Sequence, residues 1–302
     1  MMVFLAHCFP YIKSTGFPFS GIEQLYPLIY SKVGQLIVVM FFFYSGFGVM
    51  ESIRNKKDAY LSTFPRKRII GTLLNFDVAV CFFIALNLLL GNSMTIRQVL
   101  LSFTAWKSVG NSNWYIFVIL LCYSVTYLSF RLFSKNKQIA VWSTAILVLA
   151  GWLFLFRTRP IWWYSTLLSY PAGIIFSAEK ERIEPFVKAH YYPSVCVLLT
   201  LFLVFQFSGF SDPTGLLFNV KSIVFSLLVV LMTMKIKIGN QVLYWLGVNL
   251  FPLYIYQRIP MITLWHYWGH GFLSHYPYVF VALCLTITIA IAFAYRYWKI
   301  KL

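Results

Sequence analysis

Nine stretches of this chain are each long and apolar enough to cross the hydrocarbon core of a bilayer, and that repetition constrains the fold more than any single residue does. They run over approximately 34–53, 69–91, 113–133, 138–156, 160–178, 191–208, 216–234, 241–264 and 277–295. A helix needs roughly 20 mainly apolar residues to span the ~30 Å of hydrocarbon, and the chain keeps supplying stretches of that length. With 60% hydrophobic and only 11% charged side chains in 302 residues, water is not its main solvent. A membrane β-barrel would need shorter segments that alternate apolar with polar side chains, whereas a run such as 139–156 is apolar on every face. The expected fold class is therefore all-α: a polytopic membrane protein of about ten transmembrane helices.

The tenth helix is the first in the chain. The opening MMVFLAHCFPYI is apolar but too short to span alone, and it has neither the basic start nor the small-residue cleavage site of a signal peptide. It reads as the outer part of a first helix, so an in-frame upstream extension of at least about ten apolar residues is expected in the source DNA. Five cysteines stand singly in apolar segments without paired spacing, and neither a disulfide framework nor a metal site is expected. No composition shift, linker or internal repeat marks a boundary, so residues 1–302 are read as one membrane-embedded domain. Loops are short apart from 11–33, 54–68 and 92–112.

A net charge of +17 would suit nucleic acid if the basic residues formed one patch. They alternate between spans instead. The regions 54–68, 131–137, 179–190, 235–240 and 296–302 hold 17 Lys and Arg, and the intervening regions hold 6. That asymmetry places the first set in the cytoplasm, together with both termini, and makes membrane lipid rather than nucleic acid the expected partner.

Polar side chains in hydrocarbon are costly, so each one in a span is a functional candidate set against a packing role. His7 lies near the outer end of the first helix, where an interfacial histidine touching headgroups is the alternative. Tyr44-Ser45-Gly46 lies mid-span, and small residues there usually serve close helix packing. Asp77 is a lone carboxylate beside Asn75, and Lys221 sits where it can snorkel. Asn113-Trp114-Tyr115 opens a helix at a depth where an aromatic belt would also place Trp and Tyr. Tyr254, Gln257 and Arg258 lie in the outer half of another span. His266, His270 and His275 crowd the last outer loop, a weak metal signal with no carboxylate nearby. His7, Ser45, Asn113, Trp114 and Gln257 project to one depth, which predicts a cavity open toward the outside. On the inner side, FPRKR at 64–68 can bind anionic headgroups or the phosphates of a nucleotide-like cofactor.

In this order the motifs resemble the acyltransferase 3 family, membrane-bound O-acyltransferases that modify bacterial surface polysaccharides. LAHCF carries the family's first-helix histidine as His7, and FFFYSGFGVME (41–51) resembles its FFxxSGF segment. FPRKRII is similar to the arginine-rich entry to the third helix, NWYI (113–116) to a Trp motif, and NLFPLYIYQ (249–257) to an SxxLYLxH segment. Two positions depart: the arginine that precedes the family's histidine by about three turns falls before Met1, and Gln257 stands where many members have His.

The resemblance implies an acyl donor, acetyl-CoA or another acyl-CoA, arriving from the cytoplasm, and a carbohydrate hydroxyl as acceptor on the outer side. Arg66 and Arg68 would hold the CoA phosphates. His7 would serve as general base or acyl carrier, and Tyr44, Ser45, Asn113, Trp114, Tyr254 and Gln257 would line the acceptor pocket or donate to the oxyanion. It also implies the bacterial inner membrane, multi-pass, with a cytoplasmic C-terminus. The alternative is a secondary transporter or polysaccharide exporter, in which Asp77 and Arg258 would be the coupling or substrate charges.

Overall fold

Backbone groups in hydrocarbon can bond only to one another, and the apolar runs meet that demand as helix. The structure, a computed structural model, describes residues 1–33, 35–269 and 271–302, the side chains at 32 and 33 excepted. Among the described residues 80% are helical and none is in a strand. His270, one of the three loop histidines, lies outside them.

Five helical stretches are long and apolar enough to span by themselves: Leu36–Leu89, Trp114–Leu132, Lys137–Thr158, Leu216–Lys235 and Pro277–Tyr297. The pair Lys180–Ala189 and Tyr191–Phe207, bent by 101°, makes a sixth if counted as one. This count falls below ten for local reasons. The expected spans 34–53 and 69–91 belong to one stretch of 54 residues, about 80 Å long at 1.5 Å per residue. It is interrupted at Lys57 (φ 45°, ψ −129°) and by a π-helical turn at Pro65–Ile70. The expected span 160–178 starts with a 3-10 turn, Ile161–Trp163, and becomes α-helical only over Ser169–Ala178. The expected span 241–264 is three short helices, Gln241–Val248, Leu250–Tyr256 and Arg258–Trp268.

Proline explains where several of these helices begin. Pro171, Pro193, Pro252 and Pro260 each take the third position of a helix, where a backbone N–H would have no intrahelical partner in any case. The three long loops also carry helix: Leu25–Val33, the last turns of Leu36–Phe64, and Ile96–Ser102. The last is capped by Thr95, whose Oγ1 accepts from Gln98 N at 3.1 Å.

The chain divides into two compact units, each assembled from separate segments. The first comprises Met1–Gly34, Ile70–Phe117 and Gly239–Leu302. Its core includes Phe4, Cys8, Met261, Leu264, Phe280 and Cys284. Asn75, buried, is saturated: Nδ2 donates to Gly71 O (2.8 Å) and Ile300 O (3.0 Å), and Oδ1 accepts from Ile300 N (3.0 Å) and the Tyr295 hydroxyl (2.8 Å). Asn87 Nδ2 likewise donates to Phe83 O and Val109 O.

The second unit comprises Gln35–Ile69 and Val118–Ile238. The Leu36–Phe64 and Ser169–Ala178 helices approach so closely at Gly46 and Gly173 that a Cβ at either would collide with the carbonyl of Tyr170 or Phe43. The small residue of Tyr44-Ser45-Gly46 thus serves packing. Asn219, fully buried, replaces the missing helical bonds of the 164–168 turn by donating to Tyr164 O and accepting from Leu168 N, both at 2.9 Å. Glu51 accepts from Lys180 Nζ and Ser177 Oγ, each at 2.6 Å, and pairs with Arg54, which also pairs with Glu181.

Candidate functional site

Two groups of side chains carry chemistry, one in each unit. In the first unit the Met2–Ser14 helix presents His7 and, one turn on, Tyr11. The His7 ring lies 6.2 Å from that of Tyr254, centroid to centroid. His7 Nδ1 is buried and has no hydrogen-bond partner among the described residues. Arg258, the first residue of its helix, lies within electrostatic reach of His7, Tyr11 and Tyr254. The Tyr254 hydroxyl is buried as well; the Ser112 hydroxyl faces it without completing a hydrogen bond of normal geometry. Buried polar atoms are nearly always paired, so two orphans side by side mark a place where a ligand or water supplies the partner.

The 103–113 segment supports this wall. Ala105 takes a left-handed conformation (φ 56°), and Asn113 Nδ2 holds its carbonyl at 2.7 Å. Asn111 Oδ1 accepts from Val109 N at 3.1 Å. The chain then enters the Trp114–Leu132 helix, where Trp114 meets Tyr115 edge to face and Tyr115 does the same to Tyr254, at 5.5 Å. Gln257 is 1% exposed and donates from Nε2 to Tyr254 O at 2.9 Å. Its amide steadies the turn that carries Tyr254.

In the second unit Arg68 Nε donates to the Tyr60 hydroxyl at 3.1 Å. The Tyr123 hydroxyl, buried, interacts with both Arg68 and Ser45. Phe64 stacks on Tyr127 and meets Tyr123 edge-on, which fixes the base of the cluster. A cavity of about 610 Å³ is lined by Lys56, Ala59, Tyr60, Thr63, Lys67 and Arg68. The π-turn at Pro65–Ile70 shifts the helical register just where Lys67 and Arg68 enter that lining. Arg66 is exposed and does not line the cavity; Tyr44 is 44% exposed and packs its ring on Phe43 and Phe47.

A family model described as an acyltransferase domain matches residues 1–295. This chain belongs to the acyltransferase 3 family. No curated protein and no solved structure matches it. Family membership, with helices apolar enough to span, makes it a membrane acyltransferase.

Of the residues expected from sequence, the structure gathers His7, Asn113, Trp114, Tyr254 and Gln257 in the first unit, and Ser45 with Arg68 in the second. Sequence reasoning missed Ser112 and Tyr11, which look like ordinary interfacial residues, and Tyr60 and Lys56. Lys56 was visible only as a topology charge. Asp77 is half-buried, its Oδ1 unpartnered among the described residues. Those residues contain no cluster of metal-ligating groups.

Proposed function

We propose that this acyltransferase moves an acyl group, acetyl in the simplest case, from acyl-CoA to a hydroxyl of an extracytoplasmic glycan. The observation that carries the reading is the pair of orphaned polar atoms on His7 and Tyr254 beside the Arg258 cation. An imidazole nitrogen with no protein partner is free to take the proton of an acceptor hydroxyl as its oxygen attacks the thioester carbonyl. Tyr254 and Arg258 supply a hydroxyl donor and a positive charge for the oxyanion that forms there. As the carbon–sulfur bond breaks, the proton passes to the departing CoA thiolate and the acyl group remains on the sugar oxygen. The same nitrogen could instead carry the acyl group between donor and acceptor.

The basic cavity supports a CoA donor. Lys56, Lys67 and Arg68 gather cationic groups around Tyr60 and Thr63, a set suited to phosphate oxygens, and Arg66 adds charge from the exposed flank. The reading includes about ten crossings of the bacterial inner membrane with both termini cytoplasmic, an orientation that the Lys and Arg asymmetry supports. Purified protein given labelled acetyl-CoA and cell-envelope glycan should label the glycan. A protein that moves glycan across vesicles but never acylates it would overturn the reading in favour of a carrier.

A further inference from the structure

A second cavity, about 450 Å³, lies in the Gln35–Ile69 and Val118–Ile238 unit, within the size range of small-ligand sites. Its lining differs in kind from that of the basic cavity. Met50, Ile53, Leu61 and Phe130 make an apolar wall, and Arg54, Lys57, Asp58 and Lys137 bring charge. Arg54 is already answered by Glu51 and Glu181. The side chains of Lys57 and Lys137 make no ion pair or hydrogen bond among the described residues, and against Asp58 they leave one net positive charge.

Lys57 holds the non-helical conformation that interrupts its helix, one that L side chains rarely adopt. The break sends consecutive lysines into different cavities: Lys56 lines the basic one and Lys57 this one. The place is also telling. Phe130 is near the end of one helix apolar enough to span, Trp114–Leu132, and Lys137 begins the next, Lys137–Thr158. Both therefore sit where spanning helices leave the hydrocarbon, the depth of lipid headgroups.

We propose that this cavity holds one anionic phospholipid of the surrounding bilayer, its phosphodiester between Lys57 and Lys137 and the start of its acyl chains against Met50, Ile53, Leu61 and Phe130. A monoanionic headgroup matches the single net charge, and the apolar wall favours a lipid over a soluble anion. The site is separate from the donor cavity and does not depend on the acyl-CoA reading.

The protein, reconstituted in phosphatidylcholine vesicles with a minor fraction of phosphatidylglycerol and re-extracted in mild detergent, should retain one phosphatidylglycerol per chain in native mass spectrometry. Affinity should fall about five-fold for Lys57→Gln and about thirty-fold when Lys137→Gln is added, at unchanged monodispersity. The charge-keeping pair Lys57→Arg and Lys137→Arg should retain the lipid. Equal retention of the two lipids, unchanged retention in the double Gln variant, loss in the double Arg variant, or displacement by inorganic phosphate alone would each overturn the proposal.

Discussion

The pocket around His7 and the cavity around Arg68 treat polar atoms in opposite ways. Around His7 they are buried and left unpaired: the imidazole Nδ1 and the Tyr254 hydroxyl lack partners among the described residues. Around Arg68 the polar atoms are exposed cations, and Arg68 is held by the Tyr60 hydroxyl at 3.1 Å. An unpaired buried group is a standing cost that a reacting partner can relieve, so its removal should be felt in turnover. An exposed charge acts on a ligand as soon as it binds, so its removal should be felt in apparent affinity.

The strongest way to break this comparison is His7→Ala. Loss of a positioned base typically costs ~10² to 10⁴ in rate, and kcat for acyl transfer should fall by that much at equal expression. Near-parental turnover would remove His7 from the chemistry. Tyr254→Phe should cost about 10² in kcat with little change in donor KM, the usual loss for one oxyanion donor; a change confined to KM would make Tyr254 a wall residue only.

Arg68→Ala should raise apparent acyl-CoA KM about ten-fold or more while kcat stays near parental, since a charge-assisted phosphate contact exists before the transition state. If kcat collapsed and KM held, the two regions would not divide binding from chemistry. The smallest effect is expected from Tyr60→Phe. It removes one hydrogen bond to Arg68 and should raise donor KM only about five-fold, and not at all in the Arg68→Ala background; additive losses would show that Tyr60 touches the donor directly.

Much of the first pocket was legible because polar residues are so scarce in the spans. His7, Tyr254 and Arg258 each stood out against apolar neighbours, and the helical class followed from the apolar runs alone. What sequence hid was interruption. The 160–178 and 241–264 runs read as unbroken spans because hydropathy does not register a turn whose backbone groups are satisfied from elsewhere, as Asn219 satisfies Tyr164 and Leu168. Gln257 reads as a pocket residue, and its amide nitrogen bonds the carbonyl of Tyr254, a local partner that spacing does not reveal. Lys56 counts only for topology in the sequence, and the packed helix shows it lining a cavity with Lys67 and Arg68.

The bonding of Asn75 bears on how this protein can be handled. Its side chain pairs with both backbone groups of Ile300 much as a neighbouring strand would, and Trp298 Nε1 donates to the Tyr256 hydroxyl at 3.0 Å. A recombinant version trimmed at Trp298 would remove two of the four hydrogen bonds of Asn75, a residue only 7% exposed. Quality-control proteases would then have a destabilised substrate to clear, and low yield would be mistaken for lost activity. Purification tags and fluorescent fusions therefore belong where they leave Trp298 and Ile300 in place, so that this segment keeps its grip on the helix below.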